Sequence, residues 1–148
     1  MKILAKKRYD PQGSGDFWAS RGTRPHTGVD YTIHPGDFIL SPVEGVVTKL
    51  GYPYSTGYGG FYRQPETPYR YVQVTDSEGF DHRLFYVRPI VPIGTQVTTE
   101  SPIGVAQDIS LRYPSKTRPM TPHVHYEIID PDGQFINPED PEDVRIKK

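Results

Sequence analysis

Cysteine does not occur in this chain, which excludes disulfide staples and thiolate metal sites alike. The same absence leaves the redox compartment open, since exported and cytosolic chains can both do without the residue. Long apolar runs are missing too: stretches such as Phe38-Ile39-Leu40 fall far short of the roughly 20 residues a membrane-spanning helix needs. Neither sign of charge dominates. A formal net charge of −1, with no basic tract, argues against a nucleic-acid partner. The N-terminal run Met1-Lys2-Ile3-Leu4-Ala5-Lys6-Lys7 returns to charge too soon for the apolar core of a secretory leader. If the protein acts outside a cell, delivery by another route is the expectation.

Helical periodicity is also lacking, since no segment sustains apolar residues at i, i+3, i+4 and i+7. Punctuation is abundant instead. The 16 prolines and 14 glycines among 148 residues cut the chain into pieces of less than about ten residues, suited to strands. The fold class predicted is all-β and mainly antiparallel, and the length suits one domain over residues 1–148 with a core of its own. β-Branched and aromatic runs between turn residues place the strands. Gly28 to Ile33 is one, and Asp37 to Ser41 and Gly45 to Leu50 form a pair around Pro42-Val43-Glu44. Tyr69 to Thr75 and His82 to Arg88 flank a hairpin turn at Asp76-Ser77-Glu78-Gly79. Gln96 to Thr98, Ile103 to Ala106 and His123 to Ile129 complete the set, the last ending at Asp130-Pro131-Asp132-Gly133. Two stretches refuse a strand: Gly51 to Pro68, with Tyr52, Tyr54, Tyr58, Phe61 and Tyr62, and the proline-punctuated Asp108 to Pro122. Loops of that length are usually functional or disordered, and the aromatic set is expected to line a groove.

Five histidines are present, at 26, 34, 82, 123 and 125. In His123-Val124-His125 both imidazoles share one strand face, leaving Val124 and Tyr126 on the other. Glu127 is on the histidine face too, but about 13 Å of strand separates it from His123, too far for one ion to hold both. His125 is the natural centre. In His26-Thr27-Gly28-Val29-Asp30 a spacing of four could mark a helix face. Pro25, Gly28 and the β-branched run argue for a loop feeding a strand, which can bend so that His26 and Asp30 converge. Two imidazoles and one carboxylate leave zinc's fourth tetrahedral position open, the catalytic arrangement. Each motif alone is common by chance; together in a cysteine-free β protein they point to a metal. His34, before Pro35-Gly36, and His82, at the start of a strand, are left out of the ligand set.

His-x-x-x-Asp, then a β region, then Pro122-His123-Val124-His125-Tyr126-Glu127 resembles the lysostaphin-type zinc endopeptidases. Ser20-Arg21-Gly22-Thr23-Arg24-Pro25, Ser41-Pro42-Val43-Glu44-Gly45-Val46-Val47, Pro92-Ile93-Gly94-Thr95-Gln96-Val97 with Pro102-Ile103-Gly104, and Asn137-Pro138 resemble further segments of the same family, so the likeness runs from about Arg21 to Pro138. It implies a compact antiparallel β fold with a groove over the sheet. It also implies one zinc ion on His26, Asp30 and His125, and a peptide of bacterial cell-wall peptidoglycan as the partner. His123 would stand just outside the metal as the proton carrier. A phage particle, a secretion apparatus or lysis would bring such an enzyme, endolysin-like, to the wall.

One position departs from the family pattern. Where active members carry a further histidine in a "YxHLS"-like strand, Leu84-Phe85-Tyr86-Val87-Arg88 places Tyr86. A vertebrate branch, the leukocyte cell-derived chemotaxins, regarded as binding proteins, shows the same change in a similar setting. A phenol with a pKa near 10 is no base at neutral pH, yet it can donate a hydrogen bond to a developing oxyanion. Tyr86 thus has two readings, as such a donor or as a ring that fills a gap at the sheet edge. The functional expectation is a zinc-dependent endopeptidase, with a zinc-binding module that grips without cutting as the alternative and a structural subunit of a larger assembly as the third.

Overall fold

The computed structural model describes residues 6–21, 24–54 and 68–139. In chain order its strands are β1 (Tyr9–Asp10), β2 (Gly13–Ser14), β3 (Ser20–Arg21), β4 (Arg24–Pro25), β5 (Val29–Thr32), β6 (Phe38–Leu40) and β7 (Gly45–Gly51). There follow β8 (Tyr71–Thr75), β9 (Asp81–Phe85), β10 (Val87–Pro89), β11 (Gln96–Val97), β12 (Pro102–Ala106), β13 (His123–Ile129) and β14 (Phe135–Ile136). Among the described residues the sole helical element is a 3-10 turn at Ile109–Arg112, and no helix is long and apolar enough to cross a membrane. The protein is all-β, and every strand pair among the described residues is antiparallel.

The main sheet runs β11-β7-β8-β9-β13-β14, with β5 also laid on β13, and a second sheet runs β10-β12-β6. Asp76 shapes the β8–β9 hairpin by accepting the amide protons of Glu78 and Phe80 at 2.9 and 3.1 Å. The stretches 37–41 and 45–50, paired in the sequence reading, go to different sheets: β6 pairs β12, whereas β7 pairs β8 and β11. Between them the buried Ser41 donates its hydroxyl to the Val43 carbonyl at 2.6 Å. That local bond makes a corner rather than a reversal. The predicted strand 82–88 is likewise interrupted, at Tyr86, and the short strands β1, β2, β3, β4 and β14 were not foreseen. Tyr58, Phe61 and Tyr62, and Gly22 and Thr23 of the pre-ligand segment, lie outside the described residues.

Alternation on the main sheet separates core from site. Val124, Tyr126 and Ile128 of β13 point to one face, with Leu84 of β9, Val72 and Val74 of β8 and Val29 and Tyr31 of β5 in the same buried cluster. Each fully buried aliphatic side chain contributes about 1.5–3 kcal/mol, which pins the register, because a one-residue slip would turn all of them outward. The same register puts His123, His125 and Glu127 on the other face. All three are buried as well, so β13 is a central strand covered on both sides, apolar below and polar above.

Candidate metal centre

In the β5–β13 ladder His125 is paired with Asp30 and Phe85 of β9 lies on its other flank. Directly opposed residues share a face with their Cβ atoms about 4.5–5.5 Å apart. The ladder thereby brings the 30 carboxylate and the 125 imidazole together without help from a loop. His26 arrives through the turn at Gly28, where an added Cβ would meet the Tyr126 carbonyl oxygen at 2.2 Å. Only glycine lets the chain pass so close to β13. The His26 amide donates to the Ala19 carbonyl at 2.8 Å, fixing the loop from the other side.

Three atoms then converge. His26 Nε2 lies 2.9 Å from Asp30 Oδ1 and 2.8 Å from His125 Nδ1, and His125 Nδ1 is 3.0 Å from Asp30 Oδ1. This His/Asp/His group could hold one metal ion. The other ring nitrogens assign the tautomers. His26 Nδ1 faces the Asp16 carbonyl at 2.9 Å and His125 Nε2 faces the Glu127 carboxylate at 2.8 Å, and each acceptor demands a ring N–H. In neutral rings the inward nitrogens then carry lone pairs, so three electron-rich atoms crowd one point, an arrangement that favours a cation. Zinc holds N and O donors at about 2.0–2.2 Å, which in a tetrahedron spaces them by roughly 3.3–3.5 Å. The observed triangle needs to widen by only a few tenths of an ångström. The residues fit the metal.

Without a cation the charges settle differently. Burial alone would lower the His125 pKa, but the Asp30 and Glu127 carboxylates on either side outweigh it and hold it at about 9. Burial alone would raise Asp30, yet hydrogen bonds from His125 and His26 pull it well below the usual carboxylate range. Glu127, similarly buried, is lowered chiefly by His125, and Thr27 Oγ1 donates to it at 3.0 Å. Arg83 approaches its second oxygen at 3.5 Å.

His123, two residues before His125, is not among the three. Its Nδ1 donates to the Thr121 carbonyl at 2.7 Å, which leaves Nε2 as the acceptor, 3.5 Å from Asp30 Oδ2. Burial lowers its pKa, against the opposing pull of Asp30, so the ring is neutral at pH 7. Tyr86 sits between β9 and β10 with φ of 70°, a conformation rare for an aromatic residue. Two amides, of Tyr86 and Val87, donate to the one Arg70 carbonyl at 2.7 and 3.1 Å and impose this kink. It turns the ring edge-on to His123, with centroids 5.6 Å apart. The Tyr54 and Tyr113 hydroxyls share a hydrogen bond at 2.7 Å, and Tyr54 lines the same cleft as Tyr86. Burial raises both the Tyr86 and Tyr54 pKa values, so these hydroxyls stay protonated.

These groups line a cleft of about 520 Å³ that includes His26, Asp30, His125, His123, Tyr86 and Tyr54. Of the aromatic loops, Tyr54 and Tyr113 reach it, while Tyr52 lies under the Arg70 guanidinium at 4.1 Å. His34 is exposed in its turn, and His82 is buried on the core face between Asp76 and Tyr126. Sequence reasoning passed over Arg8 and Asp10, whose buried side chains stand behind Asp30. Nothing in their local sequence signals this. For Glu127 there was a signal: two residues beyond His125 on a strand is the right reach for an outer partner of that ring.

No family model matches the sequence. Solved structures do share the fold. A point mutant of the catalytic domain of the prophage-encoded M23 protein EnpA from Enterococcus faecalis superposes with a TM-score of 0.63 at 19% identity, over 96% of this chain and 95% of that one. The catalytic domain of the antimicrobial peptidase lysostaphin from Staphylococcus simulans gives 0.57 at 19% identity, over 84% and 80%. Csd3 from Helicobacter pylori gives 0.56 at 23% identity, over 92% of this chain but 32% of its own. The fold is that of the lysostaphin-type, or M23, domains.

Proposed function

We propose that the protein is a zinc-dependent endopeptidase that hydrolyses peptide cross-links of bacterial peptidoglycan, with one zinc ion on His26, Asp30 and His125. The observation that carries this reading is the triangle of two imidazole lone pairs and a carboxylate oxygen, 2.8–3.0 Å on a side, at the floor of a cleft. Bound zinc supplies a Lewis acid that polarises a carbonyl and lowers the pKa of water to near neutrality. His123 takes up a proton through Nε2 and returns it to the leaving amine, while Thr121 holds Nδ1–H and keeps the ring in the accepting tautomer. Tyr86, protonated at neutral pH, offers its hydroxyl to the oxyanion that forms on the scissile carbonyl. The likeness to peptidases such as lysostaphin supports a cell-wall peptide as substrate.

A second reading, a zinc-bearing module that binds wall peptide without cutting it, is favoured by one position, Tyr86 in place of the histidine of active relatives. Elemental analysis together with digestion of purified cell walls, with and without a chelator, separates the two. One zinc per chain and chelator-sensitive release of amines are expected. Zinc with no release from several wall types establishes the second reading, and a protein that purifies and reconstitutes without metal ends both.

A further inference from the structure

The N-terminal strap, residues 6–16, clasps the ligand Asp30 by its backbone and by one buried side chain. Arg8 N–H donates to the Asp30 carbonyl at 2.8 Å, Asp30 N–H to the Gly15 carbonyl at 2.9 Å, and Gly15 N–H to the Arg8 carbonyl at 2.6 Å. The Arg8 guanidinium lies in the cleft wall, 4% exposed. Its Nη1 donates to Asp30 Oδ2 at 3.1 Å, while Nε and Nη2 grip Asp10 at 2.9 and 3.2 Å. Asp10 in turn accepts the Thr121 amide at 2.8 Å, and the Thr121 carbonyl is the acceptor for His123 Nδ1–H. One buried carboxylate thus ties the strap to the metal ligand on one side and to the proton carrier on the other.

A cation placed beside a candidate metal site needs an explanation, because it repels the ion it neighbours. The two oxygens of Asp30 supply it. Oδ1 faces both imidazole nitrogens, and Oδ2 faces Arg8. We infer that Arg8, anchored by Asp10, is a positioning residue that keeps Asp30 a one-oxygen ligand and so preserves open coordination for substrate. A guanidinium suits this because its planar fork spans two carboxylates in fixed geometry, which a lysine ammonium cannot do. The inference rests on the proposed metal site.

Cobalt(II) substitution tests it, since four-coordinate cobalt absorbs visible light far more strongly than five- or six-coordinate cobalt. In Arg8→Met the second oxygen loses its guanidinium partner and can turn to the metal, so one cobalt per chain is still bound but visible absorption drops several-fold. Asp10→Asn, which loosens the anchor and leaves Arg8 in place, gives a smaller drop, and Arg8→Lys does not restore the native spectrum. If the native chain takes up no cobalt, the metal reading fails and this inference with it. If the native chain binds cobalt and a folded Arg8→Met or Asp10→Asn keeps the native spectrum, only this inference falls. The native chain itself provides a check that needs no variant: Arg8 Nη protons held by two carboxylates give separate, slowly exchanging resonances, and a single averaged signal overturns the assignment.

Discussion

His125 stands across the β5–β13 ladder from Asp30, its Nδ1 3.0 Å from the carboxylate Oδ1, and on its far side Nε2 is 2.8 Å from Glu127. The imidazole is therefore held at both ends by carboxylates, one of which shares its proposed ion and one of which fixes its tautomer. Loss of such an outer partner typically weakens metal binding by about 10- to 100-fold. Glu127→Gln should show a weakening of that order in a competition titration against a metal indicator, whereas His26→Ala and His125→Ala should lose the zinc altogether. Native affinity in Glu127→Gln would show that the contact has no part in the centre.

The two histidines of the His-x-His pair should separate cleanly. His123 touches Asp30 only at 3.5 Å and has its own backbone anchor at Thr121. His123→Ala should keep one zinc per chain while amine release from cell walls falls by about 10² to 10⁴, the usual worth of a proton carrier. Metal loss in this variant would make His123 a ligand instead.

Tyr86 distinguishes the enzyme from the binding module. Its kinked backbone, at φ of 70°, is the kind of strain that persists where the surroundings demand it. Tyr86→Phe keeps the ring against His123 and removes the hydroxyl alone. If that hydroxyl stabilises an oxyanion, turnover should fall by about 10²-fold or somewhat more while KM changes little. An unchanged rate would leave the ring as packing only. A rate that appears only in Tyr86→His would establish the binding reading for the native chain.

The all-β class and most strands were legible because alternation and turn residues are local signals, as in Tyr71–Thr75, the Asp76 turn and Asp81–Phe85. The facing of His123 and His125 followed from strand periodicity alone. The break at Tyr86 was not legible, since the double hydrogen bond to the Arg70 carbonyl that causes it comes from a neighbouring segment. Arg8 and Asp10 were hidden for the same reason. Arg8 lies 22 residues from Asp30, and Asp10 111 from Thr121, and neither separation leaves a mark on local pattern. His82 was read as a residue at the start of a strand, and its real surroundings emerge only when the sheet's core face is assembled.

Those surroundings give a pH dependence independent of the metal. His82 is 2% exposed, its Nε2 lies 3.0 Å from Asp76 Oδ2, and its Nδ1 faces the Tyr126 hydroxyl at 2.7 Å. A neutral ring satisfies both contacts, donating to Asp76 and accepting from Tyr126. Burial lowers its pKa, and the opposing attraction of Asp76 does not restore it. Between this lowered folded value and the unfolded value of about 6.5 the unfolded chain binds more protons, so stability rises with pH in that window. The contribution is complete above the unfolded value and is lost as acid takes the pH down through the window. In the metal-free chain His125, held at about 9, titrates across the neutral range in the opposite sense, so the part played by His82 is read as the difference between native and variant urea midpoints below about pH 6.5. In His82→Gln the fall across the same interval should be shallower, although the variant is less stable throughout. A fall in the variant as steep as the native one, or steeper, would mean that His82 is protonated in the folded protein.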